Sequence, residues 1–211
     1  TFCAMLLPPI LVRAAPRGAT ALHRKPNEEA QIEHISALNA DLDQHVVICG
    51  YGRVGQSIGR FMRNAKQPYI ALDNDPVRVQ EAATEESDVH YGDSSRGDLL
   101  IAVGLLRAKL LVIAVDQTDV ALHILREARR LNDQIPILVR TRDDSQLAEL
   151  KAAGATEVVP ELLESSLMLG SHALIMLGLS ARQVQEKADQ VRRDRYRLLH
   201  GFYSGANDEE T

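Results

Sequence analysis

Residues 46–56 read Val-Val-Ile-Cys-Gly-Tyr-Gly-Arg-Val-Gly-Gln, and the fold follows from how this run is read. Four consecutive apolar residues with β-branched members suit a strand covered on both faces, as in a parallel sheet. The strand runs straight into Gly50-Tyr51-Gly52-Arg53-Val54-Gly55, a GxGxxG placed to turn a strand into a helix. Each glycine answers a separate steric need. Gly50 permits the tight turn, Gly52 lets an anionic group approach the backbone, and Gly55 lets the helix pack closely on the strand. The free amides and positive dipole end of a helix starting near Val54 then favour phosphate, with Tyr51, Arg53 and Val54 completing the turn. A lone GxGxxG is a weak signal, but its place between a strand and a helix makes it strong.

Outward from this turn, short β-branched runs alternate with helical segments. Strands are expected at 45–49, 69–72, 89–91, 110–114, 135–139 and 157–159, with helices near 54–64, 76–84, 96–103, 120–131 and 145–152. That alternation predicts an α/β fold, a doubly wound parallel six-stranded sheet of the Rossmann type with C-terminal helices. Ligand is then expected outside the carboxyl ends of the strands. Asp73 ends the second strand 18 residues after Gly55, the place of an acid that binds ribose hydroxyls and disfavours NADP. Asn74, Asp75 and Arg78 stand beside it; Asp75, just before Pro76, also reads as a helix cap. Strand three runs into Gly92-Asp93-Ser94, and strand four into Asp116. Asp93 and Asp116 read equally as nucleotide contacts or as N-caps of the helices that follow.

The chain has 211 residues, 45% hydrophobic and 25% charged, enough to bury a proper core. A net charge of -5 argues against nucleic acid as the main partner. Only Cys3 and Cys49 occur, without metal-ligand spacing among Cys and His, so no metal is expected and a reducing compartment fits. The first residues are apolar and are followed by Arg13, Arg17, Arg24 and Lys25. This reads as the cytoplasmic end of a membrane helix, or a remnant, over 1–17, followed by a linker over 18–43 that contains an acidic helical stretch. The nucleotide-binding lobe is expected over 44–159, with C-terminal dimerisation or peripheral helices and tail over 160–211.

A soluble NAD-dependent oxidoreductase is the reading to beat. The residues after the last strand look like two helices rather than a substrate domain, and no tyrosine has a lysine four positions on, the pairing that compact dehydrogenases use. No enzyme activity is therefore expected. In the first of these helices, Leu162, Leu163, Leu167, Met168, Leu169, Leu174, Ile175 and Leu177 spread around more than one face, which demands cover on several sides. The segment from Arg182 to Leu199 reads as an amphipathic helix with a solvated face.

The 46–56 run, Leu72-Asp73-Asn74-Asp75, Tyr91-Gly92-Asp93-Ser94-Ser95-Arg96-Gly97-Asp98-Leu99-Leu100 and Arg140-Thr141-Arg142-Asp143 together resemble the regulator of potassium conductance (RCK, or TrkA-N) domains. They are most similar to the C-terminal domain of Kef-type glutathione-regulated potassium/proton antiporters. The resemblance covers roughly residues 45–199. It implies a nucleotide-binding regulatory module on the cytoplasmic face of the bacterial inner membrane, attached to an antiporter domain that carries potassium and protons. It also implies a homodimer through the helix after strand six, and an adenine nucleotide, AMP foremost with NAD(H) or ATP as alternatives. Gly50, Gly52, Arg53 and Gly55 would hold phosphate, Asp73 the ribose and Asp93 the neighbouring edge of the nucleotide. Arg140 and Arg142 would face a second, glutathione-like ligand, whose carboxylates suit guanidinium forks. A stand-alone Trk-type subunit docking on a separate channel is the third reading.

Overall fold

The computed structural model describes residues 26–84 and 87–204, so the expected membrane-helix end at 1–17 and the start of the linker lie outside the described residues. The described chain begins with α1 (Pro26–Leu38) and continues β1 (Val46–Cys49), α2 (Arg53–Asn64), β2 (Tyr69–Asp73), α3 (Pro76–Thr84), β3 (Val89–Tyr91) and α4 (Gly97–Ala102). It then runs through β4 (Leu110–Ile113), α5 (Thr118–Leu131), β5 (Ile137–Thr141), α6 (Leu147–Ala152), β6 (Glu157–Pro160), α7 (Glu161–Met176) and α8 (Ala181–Ser204). The six strands form one parallel sheet in the order β3-β2-β1-β4-β5-β6. β1 sits at its centre, Val46 opposite Tyr69 on one side and Leu110 on the other. The connection reverses direction between β1 and β4, which splays the following turns apart and opens a crevice there.

Alternation along β1 explains why helices cover both faces. Val47 and Cys49 join one core with Leu100, Ile113, Leu125 and Ile137; Val46 and Ile48 join the other with Tyr51, Tyr69 and Val112. Burying a side chain of this size stabilises by about 1.5–3 kcal/mol, so a strand apolar on both faces is strongly held at the centre. The helix α1 docks on the first of these cores through Ile35, which is buried there.

Two local features differ from the expected pattern. β5 begins two residues later than expected, because Asn132 Oδ1 accepts from the amides of Gln134 and Ile135 and holds that stretch as a turn. Pro136 follows with no amide to give to a ladder. And α7 buries none of its residues. Leu162, Met168, Leu169, Ile175 and Met176 all lie exposed along it. α8 lies against it with Val184 and Ala188 buried, and Arg192 ties the pair together through Glu164 at 2.9 Å while Asp189 of its own helix steadies it at 3.1 Å.

Candidate functional site

The glycine turn is built as its spacing demands. Gly50 has φ +94°, and a Cβ there would lie 2.9 Å from Val115 Cγ1. A Cβ on Gly55 would meet the Gly50 carbonyl oxygen at 2.1 Å, so only glycine lets α2 start this close to β1. Gly52 is different: a Cβ would meet nothing within 4 Å, since the residue faces open space. It occupies the N-cap position of α2 without a side-chain cap, and no acidic residue lies in the first turn. The helix therefore offers its positive end and first-turn amides to whatever fills that space.

That space is a cavity of about 830 Å³ outside the carboxyl ends of the strands. Gly50, Gly52, Arg53 and Val54 form its floor, Asp73, Asn74 and Arg78 one end, Gly92, Asp93 and Ser94 the neighbouring wall, and Asp116, Arg140 and Glu161 the opposite end. Ile58 and Phe61 of α2 face Val120 and Ile124 of α5 across it, giving one apolar strip in a polar site. The size and mixed lining suit a small organic anion.

Of the residues expected from sequence, Tyr51, Gly55, Asp75 and Arg142 do not line the cavity. Tyr51 turns its ring into the core, where its hydroxyl meets that of Tyr69 at 3.0 Å and burial pushes its phenol pKa up. Its backbone amide still serves the site, donating to Asp73 Oδ2 at 2.6 Å. Asp75 caps α3, its Oδ1 accepting from the Val77 amide at 3.0 Å. Arg142 is exposed, while its carbonyl accepts from the Leu162 amide at 3.0 Å and ties β5 to α7.

Neither Asp93 nor Asp116 is a helix cap. Arg96 occupies the N-cap of α4, and Asp93 instead accepts from the Ser95 amide and hydroxyl at 2.9 and 2.7 Å, shaping the cavity wall. Gln117 occupies the N-cap of α5, and Asp116 pairs with Arg140 at 3.0 Å. Arg140 also meets Glu161 at 2.6 Å, so one guanidinium joins the tips of β4 and β5 to the first residue of α7. Sequence reasoning missed Glu161; its only signal was its position directly after the last strand, where α/β ligand sites collect side chains. Asp143, close to both arginines in sequence, is engaged by Ser145, whose hydroxyl and amide hold its carboxyl below the usual range. Beneath the cavity Cys49 is fully buried, its thiol pushed up to about 12, and so behaves as a small apolar side chain. Among the described residues no group of three or more His, Cys, Asp or Glu could hold a metal ion, and no helix is long and apolar enough to cross a membrane.

Residues 46–161 match the family model described as TrkA-N domain. A chain described as the K(+) efflux antiporter KefB of Alkalimonas amylolytica is 48% identical over 167 residues, 79% of this chain and 25% of that one. The glutathione-regulated potassium-efflux system protein KefC of Cronobacter sakazakii is 31% identical over 163 residues, 77% of this chain and 26% of that one. The chain thus spans about a quarter of the length of the curated relatives it matches. Among solved structures, the Kef CTD of Shewanella denitrificans in its AMP-bound form superposes with a TM-score of 0.63 at 33% identity, over 76% of this chain and 98% of that one.

Proposed function

The chain belongs to the TrkA-N domain family, and from that premise we propose that it is a nucleotide-binding regulatory domain of a potassium/proton antiporter. One observation carries the reading: a single cavity is floored by a helix start with no acid and no cap of its own, and ends in a buried acid at the tip of β2. An adenosine phosphate satisfies both, phosphate on the amides from Gly52 to Val54 and ribose hydroxyls toward Asp73. Asp93 and Ser94 then lie along the nucleoside, and the apolar strip of Ile58, Phe61, Val120 and Ile124 receives a ring. AMP is the foremost candidate because the Kef CTD relative holds it; NAD(H) and ATP share the same adenosine phosphate. Arg140, with Arg142 outside the cavity, is the proposed contact for a second, carboxylate-bearing ligand of the glutathione type.

The role is binding rather than catalysis. A homodimer is part of the proposal: the exposed apolar residues of α7 amount to a surface that soluble monomers seldom leave open. In this reading the domain hangs on the cytoplasmic side of the bacterial inner membrane, joined through 18–43 to an antiporter domain in the same polypeptide. Nucleotide that binds one dimer arrangement better than another then biases transport of potassium and protons by that difference in affinity.

Isothermal titration of the purified chain with AMP, NADH and ATP tests the ligand, and sedimentation of the same samples tests the dimer. Binding of at least one nucleotide at micromolar concentration, abolished by Gly52→Val, is expected. Heat from none of the three contradicts the proposal.

A further inference from the structure

Two walls of the cavity stand beside the nucleoside, and they are held in different ways. At the tip of β2, Asp73 accepts the Tyr51 amide at 2.6 Å and the Asp75 amide at 2.8 Å, and Arg78 covers it at 3.2 Å. The neighbouring wall is the loop 91–96, which brings Gly92, Asp93 and Ser94 to the cavity. Both ends of this loop are gripped from outside, by α1. Gln31 Nε2 donates to the Tyr91 carbonyl at 2.6 Å where the loop begins, and Arg96 Nη1 donates to Glu28 Oε2 at 2.8 Å where it ends. Asp98, in the first turn of α4, takes the other edge of the same guanidinium at 2.6 and 3.1 Å, so the fork that Glu28 meets is pinned to the core of the domain.

Glu28, Gln31 and Ile35 are three and four residues apart and share one face of α1. Ile35 is buried in the core with Ile32 packed against it, which anchors the second half of the helix by apolar contact. The first half docks through Glu28 and Gln31, by partly exposed polar contacts that are individually weak. No described residue of α1 lines the cavity, so the helix acts on the site only through the loop it holds. With its first half docked, the Tyr91 carbonyl and Arg96 are fixed, and the loop between them presents Asp93 and Ser94 at one depth. With that half released, both ends of the loop lose a partner and the wall loosens. A nucleotide lying along Asp93 and Ser94 binds the docked arrangement better, and by linkage its binding favours docking to the same extent.

We propose that Glu28 and Gln31 are positioning residues of the nucleotide site, holding the loop 91–96 against the nucleoside, so that ligand binding and docking of the first half of α1 stabilise one another. The proposal rests on the adenosine-phosphate reading above and deepens it. It connects the bound nucleotide to the segment 18–43, through which that reading joins the domain to its antiporter.

The test is titration of the full chain with AMP, NADH and ATP, for the unaltered protein, for the double variant Glu28→Gln with Gln31→Ala, and for a control, Glu29→Gln with Glu33→Gln, on exposed positions of the same helix. Hydrogen exchange over residues 26–39 is followed with and without the tightest-binding nucleotide. The double variant is expected to lose about fivefold or more in affinity while the control loses none. Nucleotide is expected to slow exchange in the first half of α1 in the unaltered protein and not in the double variant. Nucleotide that binds the double variant as tightly as the unaltered protein, or that leaves exchange in α1 unchanged, overturns the proposal and leaves the adenosine-phosphate reading standing. Unaltered protein that binds none of the three overturns both.

Discussion

The two ends of the cavity are closed by the same chemistry turned inside out. At the β2 end the carboxylate of Asp73 is 3% exposed and the guanidinium of Arg78 44% exposed. At the β5 end the guanidinium of Arg140 is 18% exposed, with Glu161 at 42% and Asp116 at 72% outside it. An ion pair has one partner that the fold fixes and one that is free to answer a ligand. Backbone amides fix the acid at the first end, so the arginine is adjustable there. At the second end the strand fixes the arginine, and the adjustable acids belong to the β4 tip and to α7. A ligand filling the whole cavity would therefore meet an adjustable cation at one end and adjustable anions at the other, and only the second set includes a residue of the helix that exposes its apolar face.

The floor shared by both ends gives the largest expected effect. Gly55→Ala drives a methyl group into the Gly50 carbonyl and is expected to destabilise by about 3 kcal/mol or more, as overpacking does. Gly52→Ala, whose new methyl enters open space, is expected to leave thermal stability within about 0.5 kcal/mol while weakening nucleotide binding. Melting curves with and without AMP separate the two, and equal destabilisation by both variants would mean that the turn serves packing alone.

Asp73→Ala comes next. It leaves the Tyr51 amide without its buried acceptor, costing about 1–3 kcal/mol, and is expected to weaken AMP binding at least about tenfold. The same truncation at the other end, Arg140→Ala, strands only partly exposed acids. It is expected to cost about 1 kcal/mol or less in chemical denaturation. If Arg140→Ala proves the more damaging of the two, the inversion described above is wrong about which partner is fixed.

The amino end of the sheet gives the smallest effect and serves as a control. His45 is fully buried and donates from Nε2 to the Val103 carbonyl at 2.8 Å, leaving Nδ1 without a partner. Burial lowers its pKa from the ordinary 6.5, so the unfolded chain binds the extra proton first. Its stabilising contribution is complete above about pH 6.5 and is lost as pH falls toward the lowered value. A melting temperature that falls between pH 7 and pH 5.5, and falls less in His45→Gln, is expected, without a change at either end of the cavity.

Much of this was legible in the sequence because it depends on backbone. The run from Val46 to Gly55 announces a central strand, a turn and a close helix, and each follows from side-chain size alone. The strands lie where apolar runs place them, except at β5, where Asn132 captures amides that the β-branched pattern would have given to the ladder. The pairings around the cavity were less legible. That Asp116 meets Arg140 rather than capping α5, and that Glu161 joins them, depends on how β4, β5 and β6 lie side by side. Arg78 could be placed beside Asp73 by spacing, but not in front of it. For α7 the apolar spread was visible, whereas the cover being too thin to bury any of its residues fully needed the packed chain.

Crystals of this chain grown with AMP test the central claim most directly. The account predicts the 5′-phosphate against the amides from Gly52 to Val54, with the ribose at the tip of β2 and Arg78 displaced from Asp73. Saturating AMP bound elsewhere, with Arg78 still covering Asp73 and nothing on the turn, would contradict it.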